Sequence, residues 1–450
     1  MASGQTVWGL DVGKCALKAL KIRATPDGKT ELLALDYIEH EQILSQPDVD
    51  REALIAAALE QFLSRNDITD TPVVVGVPGQ HTLARFSKLP PVEAKKIAEI
   101  VRYEAEQQIP FDMDEVIWDY QTFQEEDTPD IEVGIFAMKR DLIRDYLLHY
   151  ENVGIEPAAV QSAPLALYNA AYFDGLLSNK TTVLLDIGAE NTDLIIASPY
   201  GLWTRTIPLG GNSFTETLVK AFKLSFGKAE SLKRSAATSK YARQVFQAMR
   251  PVFADLVQEL QRSVGFYTST HRDAELVKVI GLGNAFKLPG LQKYLQQNLG
   301  MDVERPERFS KLTLAEGADA SVLTENLPGF GVAYGLAVQG LKQSKITTNL
   351  LPPEIARSVV WGKKRTYFGA AAAFLLLTAG VIWARYLIDM STLKMNEGGP
   401  TPVTSIEQAT RIIEESPSGT TPGDQARQIL AAAQKLKAEY DQVAGRAKTN

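Results

Sequence analysis

"VLLDIGAENTDLIIA", Val183 to Ala197, is an apolar run that ends on the carboxylate of Asp186, turns through Gly188 and small polar residues, and returns to Leu194, Ile195 and Ile196. The chain opens on a cognate, "VWGLDVGKCALKALKI", Val7 to Ile22, in which Asp11 and Gly13 hold the same relation. A strand ending in Asp-x-Gly offers a carboxylate together with a glycine whose missing Cβ lets backbone N–H groups approach an anion. The carboxylate alone would repel that anion. It becomes useful when a hydrated Mg²⁺ stands between it and a phosphate. One such turn is an ordinary strand end; two, about 175 residues apart and each leading into another apolar strand, predict facing turns that grip a polyphosphate from both sides.

Two further stretches extend this reading. "VIGLGNAFKLPGLQKYL" puts Gly281 and Gly283 at a strand end, with Leu288, Pro289 and Gly290 opening a helix, where a base or ribose could lie against backbone. Otherwise it is a tight strand-helix turn. "GKAESLKRS" sets Glu230 and Lys233 three apart on a helix, hence on one side of it; the plainer reading is a solvated charged face.

Around these motifs strands and helices alternate. "VVVGVP" (Val73 to Pro78), "VGIFAMK" (Val133 to Lys139), "TVLLDIG" and "LVKVIGLG" (Leu276 to Gly283) read as strands. "PVEAKKIAEIVRYEAEQQIPF" reads as a helix from Ile97, Ile100 and Val101, stopped by Pro110. The pattern predicts an α/β architecture of two related halves. At 450 residues, 45% hydrophobic and 22% charged, the chain can bury two or three cores, and its net charge of -7 gives no reason to expect nucleic acid. Four histidines and one cysteine leave no material for a Cys/His metal cluster or a disulfide, and the lone Cys15 fits a reducing compartment. No charged leader followed by an apolar core opens the chain, so no secretory signal is expected.

"TYFGAAAAFLLLTAGVIWA", Thr366 to Ala384, runs 19 residues without a charge, about the length that crosses a bilayer as a helix. Lys363, Lys364 and Arg365 precede it, which predicts a cytoplasmic N-terminal side, and Trp361, Tyr367, Trp383 and Tyr386 flank it as interfacial aromatics. The expected layout is a domain at 1–345, a juxtamembrane peptide at 346–365, a span at 366–388, and an exported linker and helical stalk at 389–450. In the stalk, "SIEQATRIIEES" starts at a Ser405 cap and "GDQARQILAAAQKLKAEYDQV" repeats apolar Ile429, Ala432, Leu436 and Tyr440.

The ordered set "LDVGKCALKALKI", "LLDIGAENTDLII", "PLGGNSFTETL", "AESLKR" and "GLGNAFKLPG" resembles the phosphate and adenosine segments of the actin-like ATPase superfamily. "RFSKLPPVEAKKIAEIVRYEAEQQIPF", Arg85 to Phe111, is similar to the hallmark of the type IV pilus assembly protein PilM family, relatives of FtsA, and the likeness covers about residues 5 to 342. It implies a two-lobed actin-like fold with an inserted subdomain at about 81–155, binding ATP and Mg²⁺. Asp11, Gly13 and Lys14 match the first phosphate turn; Asp186, Gly188 and Thr192 match the second, with Asp186 and Asp11 meeting Mg²⁺ through water. Gly210, Gly211, Glu230 and Lys233 fall where relatives contact ribose and base, and Gly281, Gly283 and Asn284 where they hold the adenosine.

"ITTNLLPPEIAR" resembles the start of PilN, whose N-terminal peptide docks into PilM with family insert and neighbouring subdomain; the matching residues are Asn349, Leu350, Leu351 and Pro352. The tether after Leu341 is only about six residues, reaching roughly 20 Å, so docking on a neighbouring chain is expected. For hydrolysis, Gln161 in "AAVQSAPLAL" occupies the position where actin-like ATPases place a water-orienting group. Related sequences carry an acidic pair around Pro164 where this chain has Gln161 and Ala163, so stable ATP binding with slow or no hydrolysis is expected. The resemblance implies an inner-membrane, single-pass scaffold of pilus assembly, partnered by PilN- and PilO-like platform proteins or further copies of itself. A type II secretion anchor of the GspL kind shares this layout. A sugar kinase on the same fold would need an acceptor pocket and no span, and an Hsp70-type chaperone a long substrate-binding domain.

Overall fold

The strands are runs of Val, Ile and Leu that are apolar on both faces, the pattern of sheets covered on both sides. A computed structural model describes residues 4–124, 130–317, 320–395, 407, 410–411 and 422–448, with side chains at 358–367, 392–395 and a few positions of the last helix outside that description.

The first lobe begins with β1 (Thr6–Val12), β2 (Ala16–Ala24), β3 (Thr30–Glu39), α1 (Arg51–Arg65) and β4 (Val73–Val77). The chain then leaves the sheet through β5 (Leu83–Leu89), α2 (Ala94–Gln108), β6 (Val116–Phe123), β7 (Ile131–Lys139) and α3 (Arg140–Glu151). It returns as β8 (Pro157–Ser162) and α4 (Ala163–Asp174). The second lobe comprises β9 (Thr181–Ile187), β10 (Thr192–Ser198), β11 (Gly201–Ile207), α5 (Gly211–Phe222), α6 (Phe226–Arg234), α7 (Ala242–Thr270), β12 (Leu276–Leu282), α8 (Leu291–Leu299) and β13 (Asp302–Glu304). β14 (Leu312–Leu314), α9 (Ser321–Asn326) and α10 (Gly331–Gly340) lead back to the first lobe.

The two sheets share a five-strand topology, to which the first adds β14 parallel to β3. In the first the order is β14-β3-β2-β1-β4-β8, in the second β11-β10-β9-β12-β13. In each, the first three strands form an antiparallel meander and the last two join it parallel to the first. This duplicated meander, with the excursion between β4 and β8, is the actin-like α/β fold the motifs imply. The excursion has its own antiparallel sheet, β5-β7-β6, covered by α2. Val101 and Ala105 of α2 are fully buried against it, and the helix ends at Gln108, two residues before Pro110.

α4 and α10 lie between the lobes. Ala166 and Ala170 of α4 join a core with Val7 and Leu20 of the first sheet, while Leu165, Leu167 and Tyr168 join one with Leu184 and Ile195 of the second. α10 is apolar all round because it is buried all round. A Cβ on Gly335 would run into the Ala166 carbonyl, so glycine is what lets the two helices cross backbone to backbone.

Residues 1–360 form one compact unit and 361–450 another. A helix, Pro353–Met395, begins directly after Pro352, so the peptide and span read as separate elements in the sequence share one helix. Within it Phe368–Ser391 is long and apolar enough to cross a membrane, and Phe374, Leu376, Ile382 and Trp383 are exposed along it. Thr378 hides its hydroxyl by donating to the carbonyls of Phe374 and Leu375. The side chains of Trp361, Lys363, Lys364, Arg365 and Tyr367 lie outside those described, as does most of the stretch from Ser405. A last helix, Pro422–Lys448, leaves Ile429, Leu436 and Tyr440 exposed.

Candidate functional site

Antiparallel pairing decides which side chains face one another at the two turns. In the first hairpin Asp11 stands opposite Lys18; in the second Asp186 stands opposite Asp193, at the same offset of seven residues. The hairpins face each other across a cleft of about 810 Å³ between the lobes, a volume suited to a small organic ligand. Of the residues singled out in the sequence, Asp11, Gly13, Lys14, Asp186, Gly188, Gly211, Glu230, Lys233, Gly283 and Asn284 line this one cleft.

Its electrostatics are those of crowded carboxylates. Lys18 Nζ donates to Asp11 Oδ2 at 2.6 Å. Burial works to lower the Lys18 pKa, but the Asp11 and Asp186 carboxylates hold it above its ordinary value. Burial pushes Asp186 up to about 7, with Asp193 adding to the effect, and Asp193 up to about 6 despite a hydrogen bond from Thr206. Two carboxylates this poorly compensated on one cleft wall suit a divalent cation, and their hard oxygens are the donors a hydrated Mg²⁺ takes. Gly283 adopts φ +81°, and a Cβ there would overlap the Asp186 carboxylate and the Ile187 carbonyl. Glycine therefore both turns the chain and makes room for that acid.

The Glu230–Lys233 pair is buried, not solvated. Lys233 Nζ meets Glu230 at 2.6 Å and donates to Gly211 O at 2.9 Å and Thr215 Oγ1 at 2.8 Å, which ties α6 to the first turn of α5. Burial lowers the Lys233 pKa, and Lys233 with Thr215 and Arg234 lowers that of Glu230 against its own burial. Further bonds join the lobes around the cleft: Asn212 donates to Ser45 at 2.6 Å, Asn284 to Tyr37 at 3.2 Å, Arg234 pairs with Glu39 at 3.2 Å, and Asn191 donates to Gln80.

Four expected site residues do not line the cleft. Thr192 is fully buried and donates to Leu209 O at 2.6 Å. Gly210 caps α5 against Ala189, and Gly281 lies in β12 under the Phe286 ring. Gln161, expected to orient water, is fully buried; its amide donates to Thr348 O at 2.9 Å and accepts from Ser162 N and Thr348 Oγ1. Ala163, two residues on, lines the cleft and carries no group that could activate water.

What occupies Gln161 is the chain's own segment 346–352, which corrects the expected docking on a neighbour. Leu350 is fully buried and Leu351 nearly so, in a core with Leu10, Val75, Tyr150 and Val160. The segment runs along the open edge of β8: Leu350 N donates to Val160 O and Val160 N to Asn349 Oδ1, both at 2.9 Å. From the inserted sheet, Asp119 accepts Asn349 N at 2.8 Å and Gln121 accepts Thr347 N at 3.0 Å. Asn169 both donates to Ile346 O and accepts from Ile346 N. The short tether suffices because α10 ends at the groove, where Gln339 donates to Thr348 O at 2.8 Å. Beyond Pro352, Glu354 pairs with Arg140 at 2.7 Å.

The sequence profile of the family described as type IV pilus assembly protein PilM matches residues 9–341. Among solved structures, a PilM-PilN type IV pilus biogenesis complex is 28% identical over 74% of this chain and 98% of its own, with a TM-score of 0.63. The ethanolamine utilization protein EutJ of Carboxydothermus hydrogenoformans is 15% identical over 74% of this chain and 89% of its own, TM-score 0.42. The cytoplasmic domain of EpsL, from the type II secretion system of Vibrio cholerae, is 11% identical over 78% and 100%, TM-score 0.35. No curated protein sequence matches the chain.

Proposed function

The chain belongs to the type IV pilus assembly protein PilM family, and from that premise we propose that it is a nucleotide-binding inner-membrane platform of pilus assembly carrying its PilN-type docking segment in cis. The nucleotide part rests on one observation: two carboxylate hairpins in identical register converge on a single cleft. In this reading a nucleoside triphosphate lies between the turns. Asp186 and Asp11 face its hydrated Mg²⁺, Gly13 and Gly188 give the phosphates room, and Gly283, Asn284, Glu230 and Lys233 flank the nucleoside. Mg²⁺ supplies charge neutralisation there, without which the acidic wall repels the polyphosphate.

With Ala163 at the cleft wall and Gln161 committed to Thr348, the chain lacks an evident water-orienting group at that strand end, which supports retention of the triphosphate with slow turnover. The segment 346–352 takes the place of a separate PilN peptide, and its helix continues into the apolar stretch. The lobes are thereby fastened to the inner membrane on the side of Lys363, Lys364 and Arg365, with the tail periplasmic. PilN- and PilO-like platform proteins are the partners this placement implies.

Calorimetry of the full chain in detergent tests the nucleotide reading. Saturable Mg·ATP binding that Asp186→Ala abolishes, with the thermal transition retained, supports it. Absence of heat at millimolar Mg·ATP overturns it.

A further inference from the structure

Lys14 and Glu190 follow the glycines of the two facing turns, and their side chains meet across the cleft at 3.2 Å, 27% and 25% exposed. The other cations lining the cleft are held within the protein: Lys18 by Asp11, Arg65 by Asp36, Lys233 by Glu230 and Thr215, Arg234 by Glu39 and Glu230, and Lys287 by Asn326. Lys14 differs because its carboxylate comes from the opposite turn, at the place where the turns would grip a phosphate. The pair also lies within electrostatic reach of the inserted subdomain. The charges of Lys14 and Glu190 are felt by His81, and that of Glu190 by Tyr146, on the side of the inserted subdomain. Glu39, Arg234 and Lys287 interact with one another.

Resting on the nucleotide reading above, we propose that Glu190 is a specificity-determining residue of the cleft. Its carboxylate occupies Lys14 until a terminal phosphate long enough to reach the pair displaces it. With the nucleoside flanked by Gly283, Asn284, Glu230 and Lys233 as in the reading above, the terminal phosphate of a triphosphate would be the group that meets Lys14, and a diphosphate, lacking it, would leave the ion pair intact. Glu190 is thus an internal competitor of the terminal phosphate, and the Lys14–phosphate contact replaces the tie between the turns that the pair had made.

The test is calorimetry of the full chain in detergent with Mg·ATP and Mg·ADP, for wild type, Glu190→Gln, Lys14→Gln and the double variant. A part-exposed ion pair is worth about fivefold in an equilibrium constant. Glu190→Gln is expected to bind Mg·ATP about fivefold tighter, with Mg·ADP changed by less than about twofold. Lys14→Gln is expected to weaken Mg·ATP and to erase the gain from Glu190→Gln in the double variant. An unchanged ATP-to-ADP ratio in Glu190→Gln overturns the proposal. So does an equal gain in the Lys14→Gln background, which would make Glu190 a mere repulsive charge. If wild type and Glu190→Gln bind neither nucleotide, the nucleotide reading itself falls and takes this proposal with it, whereas binding by wild type with either of the former outcomes removes this proposal alone.

Discussion

Replacing Leu350 with alanine tests whether segment 346–352 is part of the fold or a ligand resting on it. The side chain is fully buried and shares a core with Trp8, Leu10, Val75 and Val160. Its backbone bond to Val160 O survives the substitution, so the loss is that of apolar contact and the cavity left behind. Leu→Ala at a site of this kind costs about 3 kcal/mol, against a total of roughly 5–15 kcal/mol for a folded domain. Residues 1–360, the compact unit, are the material. Urea unfolding followed by tryptophan fluorescence includes this same core, since Trp8, which residues 1–360 carry beside Trp118 and Trp203, packs edge-on to Phe62 at 5.0 Å within it. A shift in midpoint equivalent to about 3 kcal/mol at unchanged slope is expected. A loss below about 1 kcal/mol, the level of an ordinary surface change, would refute the packing. Competition gives an independent check. A segment tethered by a few residues acts at an effective concentration on the order of millimolar, so labelled 346–360 peptide should not bind wild type at micromolar levels. Stoichiometric binding there would mean that the groove stands open.

Lys233→Met, which removes the buried partner of Glu230 and leaves it Arg234 alone, should cost about 2 kcal/mol in the same assay and weaken nucleotide binding by loosening the start of α5. Gly283→Ala should lower the melting temperature and abolish nucleotide binding together, because a methyl at φ +81° overlaps the Asp186 carboxylate. For pH, the folded carboxylates of Asp186 and Asp193 titrate at about 7 and 6 against an ordinary value of 3.8, so the folded state holds more protons in between. Their contribution therefore falls as pH rises from about 4 to 7; without Mg²⁺ the melting temperature should drop over that window, and Asp186→Asn should flatten the drop. Gln161→Ala should destabilise residues 1–360 by roughly 2 kcal/mol through the bonds it loses to the Thr348 hydroxyl, the Ser162 N–H and the Thr348 carbonyl, the last of which keeps only Gln339, while any slow phosphate release changes no more than in another variant equally destabilised.

The paired turns were legible because Asp-x-Gly after an apolar run is a local pattern, complete within a few residues. Lys18 and Asp193 were not singled out, since facing partners depend on hairpin register. Laying one hairpin over the other would have exposed the common offset of seven. Glu230 and Lys233 read more plainly as a solvated face, because nothing within α6 announces that α5 covers them. Gln161 was assigned by likeness to the position where actin-like ATPases place a water-orienting group, yet its partner Thr348 arrives 187 residues later. Docking in cis was misjudged for a similar reason: tether length was weighed without the position of the end of α10, which only tertiary structure sets.

β8 connects the docked segment to the cleft through hydrogen bonds on its two edges. One edge of β8 receives the segment through Val160 and Gln161, while its other edge pairs with β4, whose Gly76 and Val77 line the cleft together with Pro78 just after it. Ala163, directly after β8, also lines the cleft, and Pro164 packs beneath Gly79 beside Asp193. On its far side the segment is clamped by Asp119 and Gln121 of the inserted sheet. A displacement of β8 relative to that sheet must therefore strain bonds on one side of the segment or the other. Any free energy that a cleft ligand places on this displacement is repaid by linkage, so ligand affinity and segment docking change by one common factor. Covalent fusion then has a physical consequence beyond attachment: a partner that arrives by diffusion reports on the cleft only while bound, whereas this segment is present at every turn of the equilibrium and leads directly into the helix of Phe368–Ser391.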